Sequence, residues 1–145
     1  PRSTLSSSSA ASDVYKRQIQ EDGTGLVLWA LWSHFDRYRD IEFAAAHYEH
    51  MVKRCADFMV SCRDGETGLP LPSYDLWEER WGIHTFTVAA VHAGLRAAER
   101  FSLFFGEKAR AEAYARAAGE IKAVEDRLSV ESDIGGIARY ERGAY

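Results

Sequence analysis

The fold is decided by residues 84–128, HTFTVAAVHAGLRAAERFSLFFGEKARAEAYARAAGEIKAVEDRL. Apolar side chains follow the three- and four-residue spacing of an amphipathic helix from His84 to Phe105. The residues in register are Val88, Val91, Leu95 and Ala98. Gly106 stands where a C-terminal helix cap is expected, and a second helix, rich in Ala, Glu and Arg, is predicted from Glu107 to about Leu128. The stretch therefore predicts a helical hairpin.

Upstream of this hairpin, the same spacing predicts two further helices. The first runs from Gly25 to about Tyr38, and the polar residues 22–24 mark its start. The second runs from Ile41 to about Cys62 with a broad apolar stripe. Residues 64–72 break the pattern with glycines and prolines and are predicted to form a loop. The last stretch, Ser129 to Tyr145, has no helical period.

Four helices without a persuasive strand pattern predict an all-α chain built of helical hairpins. Residues 26–32 are apolar on more than one side and include Trp29 and Trp32. A helix of this kind needs neighbours all round, which favours a large helical barrel over an independent four-helix unit.

The first residues are expected to lie outside the folded domain. They begin without Met and contain the run Ser6–Ser9, but they have no continuous apolar segment and so do not form a signal peptide. We interpret residues 1–18 as a vector scar or an artefact of read assembly, with a disordered tail as the alternative. Residues 19–145 are the domain proper.

Composition argues against several classes of partner. Eighteen Lys and Arg against 22 Asp and Glu give a formal charge of −4 with no basic cluster, so nucleic acid is a poor candidate. No run approaches the roughly 18 apolar residues that span a bilayer. Cys55 and Cys62 are about 10 Å apart on a predicted helix, too far for a disulfide. Free thiols favour a reducing compartment and a cytoplasmic location.

The most distinctive segment is residues 69–82, LPLPSYDLWEERWG. It places the carboxylates of Asp75, Glu78 and Glu79 among aromatic side chains, directly after a proline-stiffened loop. A general acid needs a raised pKa, and burial between tryptophans beside other carboxylates supplies it. Trp77 and Trp81 are the expected apolar walls. Because flat aromatic faces stack on sugar rings and acids accept hydrogen bonds from hydroxyls, the mixture suits a carbohydrate.

A purely structural interpretation of the same residues is also open. Asp75 and Glu78 have the spacing of a capping box, with Asp75 as the N-cap and Glu78 at the third helical position. Acids are favoured at the start of a helix whatever the function of the protein.

Residues 73–79, Ser-Tyr-Asp-Leu-Trp-Glu-Glu, resemble the catalytic-acid motif of the glucoamylase family, glycoside hydrolase family 15. The similarity continues through residues 82–87, and residues 20–23, Gln-Glu-Asp-Gly, resemble the family's Gln-x-Asp-Gly helix start. The resemblance implies that residues 19–145 are a partial catalytic domain and a fragment of an (α/α)6 barrel. It implies that Glu78 is the general acid.

The same resemblance implies roles for the residues around Glu78. Asp75 and Glu79 would bind and orient the sugar, and Trp77 would line the subsite on the leaving-group side. The segment Gly135 to Tyr140 resembles another family segment, in which Arg139 would reach the substrate. That segment follows the fourth helix much sooner than in the family, and Gly143 stands where an acid is expected. We therefore expect an internal deletion or a mis-joined assembly near Val124.

Family 15 enzymes invert the anomeric centre and remove glucose from the non-reducing ends of α-glucans. The resemblance therefore implies an α-glucan or maltooligosaccharide substrate and no cofactor. The family's catalytic base lies on a segment that these 145 residues do not reach, so we expect the chain alone to be nearly inactive.

A metal site is not expected in this sequence. His47 and His50 flank Glu49, but their order is not that of a metalloprotease motif and no third ligand is evident.

Two other functions are alternatives to the glucoamylase type. Within the enzyme class, a trehalose or α-1,6-glucan hydrolase is the alternative. Outside it, the helix–Gly–helix unit of residues 96–122 could belong to a non-catalytic repeat scaffold, but no second copy is found. His84 and His92 are expected to have packing roles.

Overall fold

A computed structural model describes residues 19–77 and 79–135 of the chain, residues 128–135 by their backbone alone. Its helices are α1 (Glu21–Tyr38), α2 (Ile41–His47), α3 (Lys53–Ser61), α4 (Thr85–Phe104) and α5 (Lys108–Gly135). Two short strands, β1 (Ser73–Tyr74) and β2 (Trp81–Gly82), pair between α3 and α4. The all-α class predicted from the sequence is confirmed.

One π-helical turn joins α2 to α3. It spans Tyr48–Val52, so the single helix predicted from Ile41 to Cys62 is present with this insertion. Asp40 caps the start of α2 by accepting a hydrogen bond from the Phe43 amide at 3.0 Å. The π turn directs Tyr48 into the core, where its hydroxyl donates to Ser102 Oγ on α4 at 3.1 Å.

Helices α1 and α4 lie side by side and run in the same direction. Gly25, near the start of α1, lies against Ala90 and Gly94 of α4, and towards the other ends Phe35 packs on Phe101 with ring centroids 5.7 Å apart. The backbones nearly touch at the two glycines. A Cβ atom added at Gly94 would lie 2.6 Å from Gly25 Cα, and one added at Gly25 would lie 2.2 Å from the Ala90 carbonyl oxygen.

Helix α4 ends in a Schellman motif that reverses the chain into α5. Gly106 has φ +81°, its amide donates to the Leu103 carbonyl at 3.1 Å, and the Glu107 amide donates to the Ser102 carbonyl at 2.8 Å. The cap predicted at Gly106 is confirmed. The core shared by α1, α3, α4 and α5 includes Leu28, Phe35, Ala56, Met59, Leu95, Phe101, Tyr114 and Ile121.

Hydrogen bonds and ion pairs connect α5 to α3 and to the segment that follows α3. Tyr114 donates to Asp57 Oδ1 at 2.7 Å, and Arg110 Nη1 lies 2.8 Å from Asp57 Oδ2. Further along, Arg63 Nη1 lies 2.7 Å from Glu120 Oε2 and 3.3 Å from the Ala117 carbonyl oxygen. The segment that follows α3 is therefore held against α5 as well.

Two predictions about these elements were wrong. Helix α5 was expected to end at Leu128, but it runs to Gly135 because no glycine or proline interrupts the chain after Leu128. No strands were expected anywhere in the chain, yet Ser73–Tyr74 and Trp81–Gly82 form the β1–β2 pair. The expected join near Val124 lies within α5 and stays a prediction.

Cys55 and Cys62 are both free, as their predicted separation required. No helix in the two described ranges is long and apolar enough to cross a bilayer. Residues 1–18 lie outside the described residues, so the interpretation of that stretch as foreign to the domain stays a prediction.

We expect Gly94→Ala to lower the free energy of unfolding by about 1–3 kcal/mol, because the added methyl group meets the α1 backbone rather than a flexible side chain. Gly119→Ala is the matched control. Nothing lies within 4 Å of its Cβ position on α5, so it should raise stability by about 0.5–1 kcal/mol. Urea denaturation followed by circular dichroism measures both. Equal effects of the two substitutions would show that the α1–α4 contact is loose.

Candidate active site

The acid-rich segment lies at the end of the structure where α1 and α4 begin. Helix α3 brings the chain back to this end, and Cys62, which follows α3, is close enough to Glu21 for the glutamate charge to raise the pKa of the thiol, after the larger effect of burial. The β1–β2 pair then leads directly into α4. The two segments with family resemblance, residues 20–23 and 73–87, therefore meet at one end of the fold.

The acid-rich segment contains a tight two-stranded hairpin. Ser73 pairs with Gly82 and Tyr74 with Trp81 in antiparallel register. The Asp75 amide donates to the Arg80 carbonyl at 2.9 Å, closing the turn. Residues 75–80 therefore connect the strands as a closed turn.

The Asp75 carboxylate holds this turn from the inside. Its Oδ1 accepts a hydrogen bond from the Glu79 amide at 2.9 Å. This bond is the main reason that the pKa of Asp75 lies below its ordinary value, with smaller contributions from the Arg80 and Trp77 amides and from His84. Asp75 stays ionised well into the acid range.

The capping-box interpretation of this segment is wrong. Helix α4 begins at Thr85 with His84 as its N-cap residue, so Asp75 is not the N-cap of this helix. Asp75 follows β1 directly and lies in the turn of the hairpin instead. Glu78 itself lies outside the described residues, and its role as general acid stays a prediction.

The aromatic side chains of the hairpin are more exposed than expected. Trp77 is 79% and Trp81 64% exposed. Because Glu78 lies outside the described residues, burial of the acid between these two rings stays a prediction. Trp81 stands edge-on to Tyr74, with ring centroids 5.0 Å apart. Directly paired residues share a face of the hairpin, so Tyr74 and Trp81 project together away from the buried Ser73. Glu79 is also exposed.

His84 fastens the hairpin from its other side. Its Nε2 lies 3.2 Å from the Ser73 carbonyl oxygen and 3.0 Å from that of Arg80. A packing role was expected for this histidine, and the tie to both strands was missed. The available signal was its position between the acid motif and the apolar register of α4.

Glu21 is a second residue that the sequence did not single out. Its side chain is only 2% exposed, and burial, followed by the charge of Asp22, raises its pKa from 4.5 to about 7. Oε2 has no hydrogen-bond partner within the described part of the chain. Its neighbour Asp22 is also buried and accepts from the Gly23 amide at 2.7 Å. The end of the fold where α1 and α4 begin therefore contains a second group of carboxyl side chains, Glu21 and Asp22, which are buried.

Two expectations about ligands and distant residues remain open. Arg139 lies outside the described residues, so its approach to a substrate stays a prediction. No cluster of three or more His, Cys, Asp or Glu side chains with metal-binding geometry occurs among residues 19–77 and 79–127, for which side chains are described.

Comparison with known proteins places this helical chain, with its acid-bearing hairpin, among the glycoside hydrolases. The sequence model of "Glycosyl hydrolases family 15" matches residues 3–127. The chain belongs to this family.

A relative supports the assignment at lower coverage. A protein of Methanocaldococcus jannaschii described as an uncharacterized glycosyl hydrolase is 33% identical over 84 residues, which cover 58% of this chain and 13% of that protein. The chain thus matches only a small part of this relative. No solved structure matches the chain significantly.

The buried Glu21 predicts a specific pH dependence of stability. The folded state binds its proton more tightly than the unfolded state, so the contribution of Glu21 is complete below about pH 4.5 and is lost as the pH rises to about 7. The loss is at most about 3 kcal/mol.

Glu21→Gln should abolish this dependence, because the amide is neutral throughout. The difference in free energy of unfolding between variant and parent, measured in urea from pH 4 to 8, should grow in favour of the variant across this window. Glu66→Gln, on an exposed loop residue, is the control and should show a constant difference. A constant difference for Glu21→Gln as well would mean that its carboxyl is solvated.

Proposed function

We propose that the full-length protein containing this sequence removes terminal α-1,4-linked glucose from the non-reducing ends of α-glucans and releases β-D-glucose, with Glu78 as the general acid. Membership of glycosyl hydrolase family 15 carries this proposal, together with the hairpin that bears the acid motif. Substrates would be α-glucans or maltooligosaccharides. No cofactor, nucleic acid or membrane takes part, and the protein is cytoplasmic.

The geometry of the turn supports the roles proposed for the neighbours of Glu78. Asp75 Oδ1 is engaged by the Glu79 amide, but a carboxylate has further lone pairs that can accept hydroxyl hydrogen bonds from a sugar. The same bond fixes the backbone on both sides of residue 78. Glu79 projects from the exposed part of this turn, where it can bind a second hydroxyl group.

Exposure of the aromatic rings supports a sugar subsite beside the acid. Trp77 presents 79% of its surface, which leaves a ring face free to stack on the sugar of the leaving group. The edge-on contact with Tyr74 fixes the second indole, Trp81, so little rotamer freedom is lost when a ligand binds there.

The proposed reaction proceeds with inversion. Glu78 protonates the glycosidic oxygen while a carboxylate on the opposite face of the sugar activates water, with the two carboxyl groups about 6.5–9.5 Å apart. Asp75, whose pKa is lowered, precedes Glu78 by three residues in the sequence, and a negative charge close to the acid would favour its protonated form. We place the base beyond residues 1–145, in keeping with the small share of the archaeal relative that the chain matches.

A trehalose or α-1,6-glucan hydrolase is the alternative within the family, since the acid motif does not define the linkage. Family membership favours an enzyme over the repeat scaffold.

Proton NMR of maltoheptaose digestion by the full-length protein tests the proposal. We expect β-glucose to appear before α-glucose. Glu78→Gln should slow the reaction by about 10²- to 10⁴-fold, because the amide cannot donate the proton in the transition state. The 145-residue chain alone should be nearly inactive.

Glu112→Gln, on the exposed side of α5, is the matched control and should leave the rate unchanged. Early α-glucose would contradict inversion. An unimpaired Glu78→Gln variant would exclude Glu78 as the acid, and hydrolysis of trehalose or isomaltose in preference to maltoheptaose would select the alternative linkage.

A further inference from the structure

The ring of His84 is bonded through one nitrogen to two carbonyl oxygens. Nε2 lies 3.2 Å from the oxygen of Ser73 and 3.0 Å from that of Arg80. Carbonyl oxygens only accept hydrogen bonds, so Nε2 carries the proton and shares it between them. The tautomer is thereby fixed by the backbone of the hairpin.

The two acceptors lie on opposite sides of the turn that carries residue 78. Ser73 belongs to β1, and Arg80 immediately precedes β2. The ring therefore spans the open end of the turn, which the Asp75 amide closes from within by its bond to the Arg80 carbonyl. The Arg80 carbonyl oxygen therefore accepts a hydrogen bond from the Asp75 amide and another from His84 Nε2.

His84 is itself held by the rigid part of the fold. It is the N-cap residue of α4 with φ −104° and ψ 137°, and its carbonyl accepts from the Val88 amide at 3.0 Å. Helix α4 is in turn packed against α1 at Gly25 and Gly94. The hairpin has only two residue pairs of its own, so its position relative to the helices depends on such ties.

We propose that His84 is a positioning residue, which sets the geometry of the turn between β1 and β2 and thereby the rate of the reaction proposed above. This proposal rests on the function proposed above, and His84 itself contacts no substrate. Misplacement of a reacting group by about 1 Å can lower a rate by about 10²-fold. The loss of one shared hydrogen bond is therefore expected to affect catalysis more than stability.

Two amide variants of the full-length protein separate this role from helix capping. Glutamine carries an N–H donor three bonds from Cβ, as Nε2 of histidine is, whereas the donor of asparagine is one bond closer and falls short of the two carbonyls. Asparagine, however, is a good N-cap residue for α4. Among the described residues the His84 side chain makes no capping hydrogen bond to α4, so His84→Asn loses no cap while it removes the contact with the two carbonyl oxygens, and His84→Gln keeps that contact.

We expect His84→Asn to lower kcat on maltoheptaose about 10- to 100-fold with little change in KM, and His84→Gln to restore most of the loss. Hydrogen–deuterium exchange should rise in peptides covering residues 73–82 for His84→Asn, and only there. His50→Ala, on an exposed residue of the π turn, is the control and should change neither readout.

Equal kcat values for the two amide variants, or exchange that rises throughout the protein, would overturn the proposal. If the parent protein hydrolyses no α-glucan, the proposed function fails, and the exchange data decide the structural step alone. If exchange rises locally in His84→Asn but not in His84→Gln, the hydrogen bonds of His84 hold the hairpin as proposed. Unchanged exchange in His84→Asn would refute this step.

Discussion

The rest of the structure depends on the close crossing of α1 and α4 at Gly25 and Gly94. A side chain at either position would meet backbone at 2.2 or 2.6 Å, so the two helices can reach this separation only without Cβ atoms. The close approach brings Phe35 against Phe101 further along, and residues of α3 and α5 complete the same core. Because α1 and α4 are parallel, both helix starts lie at one end, and the acid-bearing hairpin is delivered to that same end.

The helices and the hairpin are stabilised by two different kinds of interaction. The helices are held by apolar contacts among fully buried side chains such as Leu28, Leu95 and Ile121. The hairpin is held by hydrogen bonds, since Tyr74, Trp77 and Trp81 expose much of their surface. Substitutions of exposed side chains usually change stability little. Residues of the hairpin can therefore be specialised for ligand contact with little effect on the energy that folds the chain.

The helices were predictable from the sequence because periodicity and caps are local signals, as the Schellman motif at Gly106 illustrates. The turn at Asp75 was not, since the spacing Asp75-x-x-Glu78 fits a helix cap equally well. The turn, rather than a helix cap, is stabilised by the pairing of Ser73 with Gly82, nine residues later, and by the contact of His84 with Ser73. Burial of Glu21 was missed for a similar reason, because it depends on tertiary packing, which places Glu21 near Cys62, and acids such as Glu21 and Asp22 at the start of a helix are normally exposed.

The end of the fold where α1 and α4 begin contains carboxyl groups whose pKa values are shifted in opposite directions. Asp75 receives a backbone hydrogen bond at a solvent-accessible turn, and its pKa is lowered. Glu21 is buried, its Oε2 has no hydrogen-bond partner among the described residues, and its pKa rises to about 7. Such divergence arises where a protein has arranged separate environments for like groups, as acid–base sites require. The two environments differ here because Asp75 lies in a hydrogen-bonded turn, whereas Glu21 is buried in the first turn of α1, four residues before the close contact of Gly25 with α4.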